Sequence, residues 1–233
     1  MVPVLKITRY VDRVINFLKW PIGVLGLFLL PGSIYAWKGP ILAIVNDPLP
    51  TLPLFGGFAA YFLGWLLVFR RRSMGTLLST LEHEMTHALF AILTVHKVGG
   101  IRTSWSEGGQ VTILGGENWL IAIAPYWFPT FSVLLVVVLA FVPLEYLRWA
   151  AAILGLSLAY HITSTYRETH PKQSDLKYVG FRFAWVFLPP ANVFSYGILM
   201  AFAVGGGPGA GSYLEDLASM TLGMVKGAWA LIT

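Results

Sequence analysis

The sequence predicts an all-α polytopic membrane protein, with about six transmembrane helices and a short β-hairpin after the third helix. Of its 233 residues, 56% are hydrophobic and only 12% are charged, and the mean hydropathy is +0.69. Soluble domains carry about 25% charged residues, so this balance is typical of a membrane protein. Apolar runs long enough to cross about 30 Å of hydrocarbon recur along the chain and alternate with polar stretches.

Six apolar segments are the predicted spans. They cover residues 20–37, 52–69, 73–96, 118–142, 147–166 and 183–204. The first two are short and contain Pro or Gly, so we expect them to be tilted or kinked. The fourth contains Pro125 and Pro129, and its kink should face protein, where neighbouring groups can satisfy the freed carbonyls. The basic lead before the first span is too long for a signal peptide and PGSIYAW is a poor cleavage site, which predicts a retained span.

The polar stretches divide the chain into three regions. Residues 1–72 hold a basic segment and two accessory spans, and residues 73–204 form the core. Within that core, residues 97–116 alternate around Glu107-Gly108-Gly109 and predict a hairpin, and residues 163–182 form a charged connecting loop. Residues 205–233 are predicted to be a Gly-rich hinge, 205–211, and a C-terminal helix. Because apolar residues recur there at helical spacing, an amphipathic interfacial helix is favoured over a seventh span.

Four ionisable residues stand inside the third predicted span. Glu82, His83, Glu84 and His87 interrupt the apolar run 74–95, and the last three belong to an H-E-x-x-H sequence. On a helix, His83 and His87 lie about 40° apart and one turn along the axis, so both imidazoles can reach one ion. Glu84 is offset by about 60° from His87, which suits a carboxylate beside a metal-activated water. A buried charge costs roughly 2.5–3.5 kcal/mol at mid-span, which argues against idle polar groups.

A catalytic zinc requires a third protein ligand and one open position. The chain has no cysteine, so that ligand must be His, Asp or Glu. His96 lies roughly 14 Å beyond His87 on the same helix and is excluded. His161 is expected to make a polar contact and His170 to face solvent. Asp175 is favoured, because its loop emerges on the side of the C-terminal end of the motif helix, although Glu168 stays open.

Several of these features together resemble the site-2 protease family of intramembrane zinc metallopeptidases. They are HEMTH inside a span, a Gly-rich hairpin directly after it, a Pro-containing span that begins NWLIAIAPY, and a later acidic residue after a polar turn. The resemblance covers roughly residues 74–200. The chain has Gln173-Ser174-Asp175-Leu176 where the family has an Asn-Pro-Asp-Gly-like turn, and it lacks a PDZ-like or cystathionine-synthase-like insertion. It therefore resembles a compact, divergent branch.

The resemblance implies a function and a set of roles. His83, His87 and Asp175 would bind one zinc ion per chain, and Glu84 would be the general base. The hairpin 97–116 would offer an edge strand to an unwound membrane protein or peptide substrate. The alternative interpretation is a connecting loop with no role in substrate binding. The family also implies a multi-pass protein of the lipid bilayer, which we expect in a prokaryotic cell membrane.

Three other interpretations follow from the residues. A net charge of +5 could suggest nucleic acid, but the basic residues flank apolar runs, as in membrane-protein loops, so no nucleic-acid partner is expected. A rival enzyme would be a zinc membrane peptidase with a glutamate as third ligand, either Glu145 or Glu168. A non-enzymatic rival is a metal-binding scaffold or pseudoprotease, which would not need Glu84.

Overall fold

The structure, a computed structural model, describes residues 2–68, 77–104, 108–142 and 146–231. It is mostly helical, with one small antiparallel sheet of two strands. The helices are α1 (Val2–Phe17), α2 (Lys19–Ala36), α3 (Lys38–Asn46), α4 (Leu52–Leu67), α5 (Leu77–Leu93), α6 (Trp119–Ile123), α7 (Thr130–Leu139), α8 (Leu147–Glu168), α9 (Ser174–Val179) and α10 (Phe181–Ala230). The strands are β1 (Lys97–Ser104) and β2 (Gly108–Leu114), and 3₁₀ turns cover Leu49–Thr51 and Ala124–Tyr126.

The described helices include fewer candidate spans than the six predicted. Three segments are long and apolar enough to cross a membrane: Lys19–Asn46, Leu49–Leu67 and Phe181–Ala230. A fourth is formed if Trp119–Tyr126 and Thr130–Leu139, which are bent by 75°, count as one span. The difference has a physical cause. Helices α5 and α8 together carry eight of the 17 buried polar residues in the described part of the chain, and these side chains lower the hydropathy that a lipid-facing span needs.

Helix α10 contains a sharp reversal at Gly206. This glycine has a positive φ of 62° and a ψ of −152°, a conformation that suits a residue without a side chain. Gly197 contacts Tyr213, although 16 residues of straight helix would separate them by about 24 Å. The two arms of α10 therefore fold back on each other. Residues 205–211, predicted as a hinge, are helical apart from Gly206.

Glycines allow the helices to approach one another closely. Gly57 of α4 lies against the Ala152 carbonyl, and Gly155 of α8 lies against the Leu54 carbonyl. A Cβ atom at either glycine would collide with backbone. Membrane helices commonly pack through such small residues, since van der Waals contact replaces the hydrophobic effect there. This contact fixes α8, whose last residue, Glu168, contacts His83 of α5.

The predicted kink in the fourth apolar segment is confirmed by the 75° bend between α6 and α7. Asn118 caps α6, because its Oδ1 accepts hydrogen bonds from the Leu120 and Ile121 amides, each at 3.1 Å. Buried aromatic and aliphatic side chains then hold α6 against α9 and α10. They include Trp119, Ile123, Tyr126, Leu176, Val179, Phe183 and Phe187. The N-terminal end of α6 is thereby fixed beside α5.

The predicted hairpin is also confirmed. Strands β1 and β2 pair antiparallel from Lys97↔Leu114 to Ser104↔Gly108, with an irregularity between Val98 and Gly100. Glu107, part of the predicted turn, lies outside the described residues. Both strands pack on α5, and the hairpin therefore covers the helix that carries the H-E-x-x-H sequence.

Candidate metal centre

Helix α5 presents both motif histidines on one face. The His83 and His87 rings lie one turn apart, with centroids separated by 4.7 Å. His87 is buried and His83 is half-buried. Their spacing is what the sequence predicts for two ligands of a single ion.

Asp175 completes a group of three potential ligands. Its Oδ2 lies 3.4 Å from His83 Nε2 and 3.6 Å from His87 Nε2. All three ligand atoms lie within 4.8 Å of one another. Ligands about 2.1 Å from a tetrahedral zinc stand about 3.4 Å apart, so both separations from Asp175 match this geometry. Two imidazoles and one carboxylate are also a donor set found in catalytic zinc sites.

The other ring nitrogens have fixed partners. His83 Nδ1 donates to Glu168 Oε2 at 2.7 Å, and His87 Nδ1 donates to the Ile121 carbonyl at 2.9 Å. Because a carboxylate and a carbonyl only accept hydrogen bonds, each Nδ1 carries the proton. Each Nε2 faces Asp175 and is the nitrogen on which a metal ion can replace a proton. Glu168 and the α6 backbone thus select the tautomer that binding requires.

Asp175 is held in place from two sides. Leu176 and Val179, on the same short helix, are buried in the core, and the Tyr126 hydroxyl donates to Asp175 Oδ2 at 2.9 Å. Burial opposes ionisation of Asp175, but the His83 and His87 imidazoles outweigh it, and the pKa of this carboxyl lies well below its usual range. An ionised Asp175 is the form that binds a cation.

Glu84 and the hairpin line the same cavity as these three residues. The cavity has a volume of about 380 Å³, and Gly109, Gln110, Val111 and Ile113 of β2 form one wall. The Val111 amide faces the Glu84 carboxylate. A Cβ atom at Gly109 would stand 2.6 Å from the side chains of both Glu84 and Thr80. Only a glycine there lets β2 approach Glu84 this closely.

Glu117 is a cavity residue that the sequence interpretation missed. It follows the hairpin and directly precedes the α6 cap Asn118, which is the signal that could have placed it near the site. Burial raises the pKa of Glu117, while the neighbouring His87 opposes the rise. Tyr126 was also missed, because a tyrosine in an apolar span gives no indication of its partner.

The structure places the remaining candidates elsewhere. His96 contacts Asp12, His161 contacts Thr165, and His170 is exposed. Glu168 faces His83 Nδ1, on the opposite edge of the ring from Asp175, so this geometry favours Asp175 over Glu168 as the third ligand. Glu145 lies outside the described residues.

Glu82 faces away from the metal candidates and is buried. Its Oε1 accepts a hydrogen bond from the Phe131 amide at 2.9 Å, in the first turn of α7. A carboxylate at this position satisfies a free amide and complements the helix dipole. Glu82 therefore fixes α7 against α5, as a pairing residue rather than a ligand.

Comparison with known protein families shows to which family the chain belongs. The model of the family described as Peptidase M50B-like matches residues 55–201, which is more than half of the chain. The chain belongs to this family. Every residue of the candidate metal centre lies inside the matched part of this Peptidase M50B-like chain, and the resemblance to site-2 proteases is confirmed. No curated protein and no solved structure matches the chain. Family membership and the apolar helices together indicate a membrane peptidase.

Proposed function

We propose that the protein is a multi-pass zinc metalloprotease of a prokaryotic cell membrane, which hydrolyses peptide bonds of membrane-embedded or membrane-proximal substrates. The observation that carries this proposal is the convergence of His83 Nε2, His87 Nε2 and Asp175 Oδ2 at one end of a cavity that Glu84 also lines. Three ligands with a free approach suit catalysis, because a purely structural zinc site is closed by a fourth protein ligand.

His83, His87 and Asp175 would hold the zinc ion. When bound, zinc supplies Lewis-acid chemistry that polarises a carbonyl and lowers the pKa of a water molecule. Glu84 takes the proton of the attacking water on its carboxylate and later gives that proton to the leaving amine nitrogen. Strand β2, whose Val111 also lines the cavity, lies against the Glu84 side chain and holds its carboxylate there.

The hairpin supports binding of an extended peptide. A helical peptide bond has its carbonyl engaged in the helix, so a membrane substrate must unwind before attack. Strand β2 forms a wall of the cavity over Gly109–Ile113, and an extended backbone can add to such an edge through main-chain hydrogen bonds. This recognition demands an unwound segment more than a particular side chain.

The test combines metal analysis with cleavage of a membrane-protein substrate by the purified chain. We expect Glu84→Gln to keep one zinc per chain and lose all cleavage, whereas Glu215→Gln, a substitution at an exposed glutamate on α10, leaves both unchanged. Cleavage that survives in Glu84→Gln would contradict the assigned base. Bound zinc without any cleavage by the unmodified chain would instead support the pseudoprotease.

The third ligand has its own matched pair. We expect Asp175→Ala to lose zinc, because two imidazoles alone hold it weakly. His170→Ala changes a nearby exposed histidine and should retain zinc. Equal zinc contents in the two variants would remove Asp175 from the ligand set.

A further inference from the structure

Helix α1 uses one narrow side to contact the rest of the protein. Thr8 on this side is only 1% exposed. Asp12 Oδ1 accepts a hydrogen bond from Asn118 Nδ2 at 2.9 Å, and Asp12 also contacts His96. One turn further on, the Ile15 carbonyl accepts a hydrogen bond from the Trp119 indole at 2.6 Å. This side is therefore fully occupied by protein partners.

The opposite, exposed side of α1 is divided into two sectors. At 100° per residue, its basic residues lie about 100–160° from Thr8 and its apolar residues about 180–260°. The basic sector holds Lys6, Arg9 and Arg13, and the apolar sector holds Ile7, Tyr10, Val14 and Phe17. Tyr10 is 69% exposed and Phe17 is 79% exposed.

Neither sector is satisfied by the protein. Among the residues that the structure describes, no carboxylate forms an ion pair with Lys6, Arg9 or Arg13. The neighbouring apolar sector exposes two aromatic rings, which is costly in water. A helix that is apolar along one strip and basic along the next matches the boundary between acyl chains and anionic headgroups.

The position of α1 in the chain fits the same boundary. The helix ends at Phe17, and the candidate membrane span Lys19–Asn46 begins two residues later. Pro21 has no amide hydrogen to bond to the Phe17 carbonyl, which explains the break between α1 and α2. The contacts of Asp12 also place α1 beside the C-terminal end of α5, at His96.

We propose that α1 is an interfacial helix that binds anionic phospholipid headgroups. Lys6, Arg9 and Arg13 contact the headgroups, while the apolar sector enters the outer part of the acyl region. Each basic residue held near an anionic membrane surface raises the affinity by roughly fivefold. The protein-facing side keeps the helix from rotating, so the two sectors meet the lipid in a fixed register.

The absence of cysteine from the sequence allows a clean test of depth. A nitroxide on Tyr10→Cys, in the full chain reconstituted in phospholipid nanodiscs, should relax faster with oxygen than with a water-soluble nickel complex. The same label on Glu215→Cys, an exposed residue of α10, provides the comparison. A label at position 10 that the nickel complex reaches freely would overturn the proposal. Spin–spin broadening there would also overturn it, because a second copy would then cover the sector.

The headgroup preference is tested with spin-labelled lipids. We expect wild-type protein to immobilise phosphatidylglycerol in preference to phosphatidylcholine, and the combined variant Lys6→Gln, Arg9→Gln, Arg13→Gln to lose at least fivefold of this preference. The charge-preserving variant Lys6→Arg, Arg9→Lys, Arg13→Lys should retain it. A combined Lys172→Gln, Lys177→Gln, Lys226→Gln variant removes three other exposed charges and should also retain most of it. An unchanged preference in the α1 variant, or an equal loss in this control, would refute the assignment.

Discussion

The described part of the chain contains two places where a histidine meets a carboxylate, and they differ in what surrounds the ring. His96 Nε2 lies 3.2 Å from Asp12, and its Nδ1 lies 2.9 Å from the Thr94 carbonyl, so protein groups occupy both nitrogens. In the candidate metal centre both Nδ1 atoms also have protein partners, but both Nε2 atoms face one aspartate and an open cavity. Burial and a nearby carboxylate are common to both. Convergence of three potential ligand atoms on a cavity is what distinguishes the candidate metal centre.

Removing one imidazole from each place should have the largest and most different effects. We expect His87→Ala to lose bound zinc and all peptidase activity, because only two of three ligands remain. His96→Ala should keep one zinc per chain but lower the free energy of unfolding by about 1–3 kcal/mol, since Asp12 loses a buried partner. Metal analysis and denaturant unfolding of both variants provide the measurement. Zinc loss in His96→Ala beyond that explained by unfolding would erase the distinction.

Exchanging the carboxylate for an amide in each place tests whether its charge supports metal binding. Glu168→Gln should weaken zinc binding about 10–100-fold, because a neutral partner supports the His83 imidazole less well. Glu168 would then be a positioning residue that acts through His83. Asp12→Asn is the matched change at the other place and should leave zinc affinity unaltered. Competition with a chelator measures both, and identical affinities would show that the Glu168 contact is only structural.

A third test concerns the cavity beside His83 and His87, which His96 does not line. Gly109→Ala should lower peptidase activity about 100-fold, because the new methyl group must displace Glu84 or β2 by a fraction of an ångström or more. Zinc content should not change. Gly100→Ala introduces the same methyl group in β1, where nothing lies within 4 Å, and serves as the control. Equal peptidase activities of the Gly109→Ala and Gly100→Ala variants would mean that Glu84 does not depend on the close approach of β2.

The smallest effect is expected at the Tyr126 hydroxyl. Tyr126→Phe removes the hydrogen bond to Asp175 and leaves the aromatic packing intact, so zinc affinity should fall by about 3–12-fold, the equivalent of one ordinary hydrogen bond. The same chelator competition detects this change. An affinity equal to that of the wild type would show that α9 alone positions Asp175.

Local spacing predicted the part of the site that lies on one helix. His83, Glu84 and His87 follow from the helical period, and the side of the membrane on which the loop 163–182 emerges suggested Asp175. The positions of Glu168, Tyr126 and Glu117 relative to α5 could not be predicted from spacing. Each lies on a different element, and packing sets how those elements are rotated. Fewer described helices qualify as spans than the six predicted for a related reason: polar side chains of α5 and α8 turn inward and lower the hydropathy of these segments.

His87 has a partner that no side-chain replacement can delete, since the acceptor is the main-chain oxygen of Ile121. Adjusting this half of the site requires moving α6 itself, whose start is set by the Asn118 cap and whose end is set by the turn at Pro125. A single substitution at Glu168 can therefore change how strongly His83 binds a metal. The corresponding partner of His87 changes only if the backbone of α6 moves.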